Sequence, residues 1–271
     1  MKRLRFCYEM RLSFDQEVWD HHFLIRCCPM ENGQQHRESM SVKIEPADFV
    51  TEVTDGFGNE GYAGSVRKPH GGLSVTAEGI VRVDQTGGTD GLHPMYRFPS
   101  AFTMPDEGIR RFWREIFEKP GRVPKACQGI RKGCGISRED LVYMMNRLYG
   151  RFVYAPGTTT VRTTAAEALG AGRGVCQDYA HVFISLSRLA GVPARYAAGM
   201  MLGEGASHAW VELWQDGRWQ GFDPTNNRLV DETYIKLTHG RDFGDGSIDR
   251  GRFLGFAGQS QKVRVSVEEI L

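Results

Sequence analysis

Residues 208–225 read His208-Ala209-Trp210-Val211-Glu212-Leu213-Trp214-Gln215-Asp216-Gly217-Arg218-Trp219-Gln220-Gly221-Phe222-Asp223-Pro224-Thr225. Asp216-Gly217 between two β-rich runs is the signal for a two-residue type I′ hairpin. That turn fixes the register. Gln215 faces Arg218, Val211 faces Phe222, Trp210 faces Asp223, and His208 lies opposite Thr225. The pleat then sorts the faces. His208, Trp210, Glu212 and Trp214 share one with Trp219, Gly221, Asp223 and Thr225. Ala209, Val211, Leu213, Phe222 and Pro224 share the other. His208 and Asp223 become diagonal cross-strand neighbours, roughly 5–8 Å apart at the backbone. A carboxylate can bridge that gap, orient the imidazole and support its charged form.

Upstream, Gly172-Arg173-Gly174-Val175-Cys176-Gln177-Asp178-Tyr179 runs into a long apolar helix pattern through Val182, Phe183, Leu186, Leu189 and Ala190. Gly191 and Pro193 end it, and Ala180 and Ile184 widen its apolar face. Cys176 therefore stands where a helix begins, and the N–H groups and dipole there suit a nucleophilic sulfur. A thiol, a base and an orienting acid are the parts of a nucleophilic system, with backbone N–H groups available for an oxyanion. His181 is about 140° around the helix from Cys176 and points elsewhere. Asp178 reads as a first-turn dipole partner, and Gln177 as either an oxyanion donor or first-turn polarity. Trp214 facing Trp219 reads as cross-strand packing, although the three tryptophans could line a groove.

Outward from this centre the periodicity changes twice. Leu4, Phe6, Tyr8, Met10, Leu12 and Phe14 alternate with mostly polar residues, as a half-buried strand does. Phe23-Ile25-Cys27, Met40-Val42-Ile44 and 73–83 repeat that pattern, with Gly79 a possible bulge and Asp55-Gly56-Phe57-Gly58-Asn59 a turn. Residues 1–93 form the expected β-sandwich-like domain. His21-His22 belongs to it as a surface or core feature. Pro94, Pro99 and Pro105 punctuate an expected linker, 94–105. Residues 106–271 then read as an α+β domain, with a central helix packed on an antiparallel sheet. Its helices begin after Asp106, Ser137 and Thr164, and Pro120-Gly121 stops the first. Strands are expected at 194–202, 208–215 and 218–224, and at Val263-Val265-Val267.

The 271 residues carry 34 basic and 33 acidic side chains, a net charge of +1. That balance makes no case for nucleic acid or an anionic membrane. The longest apolar runs are too short to span a bilayer. The basic start lacks an apolar stretch to follow it, so a cytoplasmic location is expected and the six cysteines are expected to be reduced. Neither Cys27-Cys28 nor Cys127…Cys134 has zinc-site spacing. Cys176, His208 and Asp223 plus water could in principle hold zinc, but no further motif supports a metal.

Gly174-Val175-Cys176-Gln177-Asp178-Tyr179-Ala180, Ala190-Gly191-Val192-Pro193-Ala194-Arg195-Tyr196, His208-Ala209-Trp210-Val211-Glu212 and Phe222-Asp223-Pro224-Thr225 together resemble the bacterial transglutaminase-like superfamily, a group described as cysteine proteases. The likeness covers about residues 137–227. The first third resembles the β domain that often precedes this core, best at 55–59. Gly240-Arg241-Asp242-Phe243 also fits, whereas Gly244-Asp245-Gly246-Ser247-Ile248 departs from the proline-containing stretch expected there. The resemblance implies a papain-like α+β fold and a catalytic triad of Cys176 (nucleophile), His208 (base and acid) and Asp223 (orienting acid). It implies acyl transfer through a thioester, ending on water in a peptidase, amidase or deamidase, or on an amine in a protein-glutamine transamidase. No cofactor is implied: the calcium of the animal enzymes has no EF-hand-like loop here. The expected partner is a peptide or protein substrate, and the oligomeric state is left open. A non-catalytic peptide-binding module that retains the fold is the alternative from another class.

Overall fold

The computed structural model describes residues 1–117 and 136–271. Five strands come first: β1 (Lys2–Ile25), β2 (Gln35–Glu45), β3 (Phe49–Thr54), β4 (Glu60–Val66) and β5 (His70–Val83). The two short alternating runs expected at 4–14 and 23–27 are one strand of 24 residues that ends before Cys27. Its ladder shifts register between Ser13 and Val18 and again between Trp19 and His22, and Asp20 between them has φ 47°. The first half of β1 pairs with β5, and its second half pairs with β4. One strand thus belongs to both parts of a curled all-β sheet, and the alternating Leu4, Phe6, Tyr8 and Met10 are buried inside it. A bulge lies at Glu38 of β2, where Arg37 and Ser39 oppose Val81 and Ile80. It sits beside Gly79, not at it.

Helix α1 (Glu107–Phe117) follows, with the Asp106 carboxylate accepting from Ile109 N–H at 2.8 Å. Next come α2 (Arg138–Tyr149), β6 (Val153–Tyr154), α3 (Ala165–Ala171), β7 (Arg173–Gly174) and α4 (Cys176–Leu189). Ser137 and Thr164 close the capping boxes expected of them, with Asp140 and Glu167. The Pro120-Gly121 stop, Cys127 and Cys134 lie outside the described residues. The remaining elements are β8 (Ala194–Met201), β9 (Gly203–Gly205), β10 (His208–Gln215), β11 (Arg218–Asp223), β12 (Arg228–Leu229), β13 (Tyr234–Gly240), α5 (Phe243–Gly246), β14 (Asp249–Leu254) and β15 (Gln259–Glu269). The second sheet runs β12-β11-β10-β8-β13. Asp216 (φ 51°) and Gly217 (φ 77°) make the β10–β11 turn, and the ladder joins Gln215 to Arg218 and Val211 to Phe222 as the sequence requires.

Helix α4 covers one face of this sheet. Ala209, Val211, Leu213 and Phe222 share a buried cluster with Ala180, Val182, Phe183 and Leu186. The Phe183 and Phe222 rings are 6.0 Å apart. The other face meets the first domain through charge. Glu212 accepts from Arg195 Nε at 2.5 Å and from Lys236 Nζ at 2.9 Å, and all three are buried. Asp90 closes on Arg195 from the rim, and the guanidinium lies 4.2 Å over Trp219. Burial by itself would raise the Glu212 carboxyl, but the two cations bring it down to about 2.

Two departures from the sequence reading concern the domain edges. The expected linker, 94–105, contains two 3₁₀ turns, Pro94–Arg97 and Ala101–Thr103, packed on α4, where Arg188 donates to Tyr96 O at 3.2 Å and to Thr103 Oγ1 at 2.6 Å. The tail strand expected within the second domain, β15, and the strand β14, which the sequence did not announce, both pair antiparallel with β1. Strand β9 in turn pairs with β15, Val265 opposite Gly205. The turn 55–59 adds a clasp: Asn59 Nδ2 donates to His239 O at 2.8 Å, and His239 N–H returns a bond to Asn59 Oδ1 at 2.8 Å. Replacing Glu212 by Ala would leave Arg195 and Lys236 buried together without their shared anion. The expected loss is about 3–5 kcal/mol of unfolding free energy, measured by urea denaturation.

Candidate active site

Cys176 is the first residue of α4 and is half-buried. The turn before it is held by Asp178, whose Oδ2 accepts from Val175 N–H at 2.8 Å and from Thr159 Oγ1 at 2.6 Å. A carboxylate at the third helical position reaching back to the cap is a capping-box half, and here the cap residue itself, Val175, supplies no side-chain bond. Gly174 must be glycine, since a Cβ there would lie 2.5 Å from Asp178 Oδ2. Burial raises the Asp178 carboxyl, with those two hydrogen bonds working against it. Tyr154, in β6, pairs with Gly174 of β7 and keeps half of its surface exposed beside this turn. Gln177 is buried in the first turn.

His208 opens β10 opposite Gly199 of β8. Its Nε2–H donates to Asp223 Oδ2 at 2.8 Å. Cys176 acts on the same imidazole, and together with Asp223 it favours the charged form of the ring. Burial lowers the basicity of His208, but the bonds to Asp223 and Cys176 outweigh it and the ring is pushed up to about 9. Asp223 is fully buried. Its Oδ1 accepts from the N–H groups of Thr225 (3.0 Å) and Asn226 (3.1 Å). Its Oδ2 accepts from Asn226 Nδ2 (2.7 Å) and Tyr234 Oη (2.8 Å) as well as from His208. Burial would raise this carboxyl, but His208, Asn226 and Tyr234 hold it below the usual carboxylate range.

The structure thus brings together the three residues picked out from the sequence, across α4, β10 and β11. It places the others apart. His181 is fully buried, accepts Phe243 N–H at 3.0 Å on Nε2, and stacks on Phe102. Trp210 and Trp219 are buried, so they line no groove; Trp214 and Trp219 meet edge to face at 5.3 Å. His21 is buried against His70, ring nitrogens 3.2 Å apart. Gly240-Arg241-Asp242-Phe243 leads into the one-turn α5, where the Asp242 side chain caps Asp245 N–H.

Sequence reading missed Tyr234, Asn226 and Thr159. Asn226 had a signal: an Asp followed by Pro-Thr-Asn is an Asx turn, whose second and third N–H groups bend back to the carboxylate. Tyr234 had none, because only the β13–β8 pairing brings it under Asp223. No group of three or more His, Cys, Asp or Glu side chains among the described residues is arranged to hold a metal ion.

The Transglutaminase-like superfamily pattern matches residues 124–224, and the Bacterial transglutaminase-like N-terminal region matches residues 4–82. The uncharacterized protein Rv2569c of Mycobacterium tuberculosis is 32% identical over 232 residues, which are 76% of this chain and 72% of that protein. The uncharacterized protein ML0607 of Mycobacterium leprae is 28% identical over 260 residues, 90% of this chain and 91% of that protein. Among solved structures, a candidate cysteine protease from Cytophaga hutchinsonii superposes with a TM-score of 0.78 at 20% identity, covering all of this chain (100%) and 92% of its own. That likeness extends the shared fold over both the curled β sheet and the helix-on-sheet core. By sequence pattern, by relatives and by fold, the chain belongs to the transglutaminase-like superfamily and carries its bacterial N-terminal region.

Proposed function

We propose that this protein is a thiol-dependent acyl-transfer enzyme that acts on peptide or amide bonds, with Cys176 as nucleophile, His208 as general base and acid, and Asp223 as the acid that orients His208. The observation that carries this reading is the imidazole of His208, bonded through Nε2 to a buried carboxylate and acted on by a half-exposed thiol at a helix start.

The chemistry follows from the contacts. The proton shared between Cys176 and His208 rests on the imidazole, and the Cys176 sulfur attacks the substrate carbonyl carbon. The carbonyl oxygen takes the electron pair and lies toward N–H groups of the first turn of α4, which lack partners within the helix. Collapse of this adduct breaks the C–N bond, and His208 returns the proton to the departing amine. A thioester remains on Cys176. Water, deprotonated by His208, then attacks the thioester, releases the acid and restores the thiol. An amine in place of water would give transamidation by the same steps. Hydrolysis is the simpler outcome, because it needs no second binding site.

Mass spectrometry of protein incubated with an activated peptide ester should find the acyl group on Cys176. Added primary amine should leave the released acid as the main product. Cys176→Ser should abolish the adduct, and Asp223→Asn should lower kcat/KM by about 10³-fold or more. An adduct on another residue, or equal performance of wild type and Cys176→Ser, would support the peptide-binding alternative.

The pH dependence has a sign. His208 carries its proton up to about 9 when folded, against roughly 6.5 for a free imidazole. Its ion pair with Asp223 therefore stabilises the fold fully below about pH 6.5, and that contribution is lost as pH rises through about 9. Wild type should exceed His208→Gln in urea midpoint at pH 6, with the gap narrowing by pH 9.5. The alkaline limb of kcat/KM should fall near the same upper value.

A further inference from the structure

The assigned chemistry uses only one of the donors on Asp223 Oδ2. That oxygen receives three: His208 Nε2 at 2.8 Å, Tyr234 Oη at 2.8 Å and Asn226 Nδ2 at 2.7 Å. Oδ1 takes two backbone N–H groups besides. Tyr234 and Asn226 also come from different places, β13 and the turn after β11, and converge on the atom that faces His208. Tyr234 is buried, packed edge to face against Trp210 at 5.4 Å, and Trp210 in turn stacks near His208 at 6.4 Å.

We propose that Tyr234 and Asn226 are positioning residues that divide the Asp223 carboxylate's charge among three donors, and so set how strongly His208 holds its proton. This rests on the assignment of His208 as base and acid. A hydroxyl hydrogen directed at Oδ2 draws off negative charge that would otherwise act on the imidazolium. With it, Asp223 orients the ring without trapping the proton that His208 must hand to the leaving amine. Tyr234 can serve only as donor here: burial and then the Asp223 charge raise its hydroxyl far above its ordinary range. The other ionisable groups in reach are Cys176 on the far side of the imidazole, and Arg228 and Asp231 beyond Tyr234. Arg228 lies 5.3 Å over the Tyr234 ring and pairs with Asp231 at 2.6 Å. That pair offsets itself and is untouched by the changes below.

The test is titration of the His208 Cε1–H resonance by NMR in wild type, Tyr234→Phe and Asn226→Ala, with His208→Gln to assign the signal. Tyr234→Phe keeps the ring that packs on Trp210, and Asn226 is exposed, so both should fold. Each should move the His208 midpoint upward, by about 0.3–1 unit, with the double variant higher still. In a turnover assay the alkaline limb should move up with it, while kcat falls several-fold because the proton is released less readily. Packing alone would lower activity without moving the midpoint. A midpoint that stays or falls in both variants would overturn the proposal. The titration needs no turnover, so an upward shift with no acyl group on Cys176 would sink the enzymatic reading and leave the division of charge standing.

Discussion

Keeping Asp223 ionised where water cannot reach it is the constraint that organises the second domain. An unpaired buried carboxylate would neutralise itself by taking a proton. Five donors prevent that here, and they come from three pieces of local structure. The hairpin register delivers His208, the Pro224-Thr225-Asn226 turn delivers two backbone N–H groups and an amide, and β13 delivers a hydroxyl. Sheet order therefore matters for chemistry: β13 must pair with β8, and β8 with β10, for Tyr234 and His208 to meet the same oxygen. Cys176 then meets a ring whose orientation is settled before any substrate arrives.

The same sheet carries a second buried ionic group one row away. Glu212 holds Arg195 and Lys236, and the first domain completes the arrangement with Gln35, whose side chain bonds both the N–H and the C=O of Lys236. Met30 N–H donates to that same carbonyl at 2.8 Å. Such a group adds little net stability compared with an apolar core, but it admits few alternative dockings. With the Asn59–His239 clasp and Arg26, which donates to Ser247 O and to Asp55, it adds polar contacts between the two units.

What could be read from sequence was what is local. Asp216-Gly217 set a register, the register put His208 beside Asp223, and capping boxes at Ser137 and Thr164 set helix starts. Each of these depends on residues within a few positions of one another. The shared strand β1 was split by its own bulges, because Ser13–Asp20 breaks the period-2 pattern that marks a strand. Glu212 was placed only on the face it shares with Trp210 and Trp214, and nothing near it in sequence announces Arg195 and Lys236 as its partners. Tyr234 was hidden for the same reason: nothing near it in sequence announces Asp223. The tail strand was found, but alternation says that a strand exists and not which sheet it joins.

That last point has a consequence for how the protein is made. Strand β15 (259–269) fills the place between β1 and β9, so residues 4–14 and the segment running into His208 share one late partner. During synthesis the first strand leaves the ribosome well over two hundred residues before that partner does. The helix bearing the thiol and the hairpin bearing its base can form earlier, since their contacts are nearer in sequence. The approach to the base is anchored only when the final described strand slots in. A nascent chain thus carries its sulfur through translation before the strand that anchors the approach to His208 is in place.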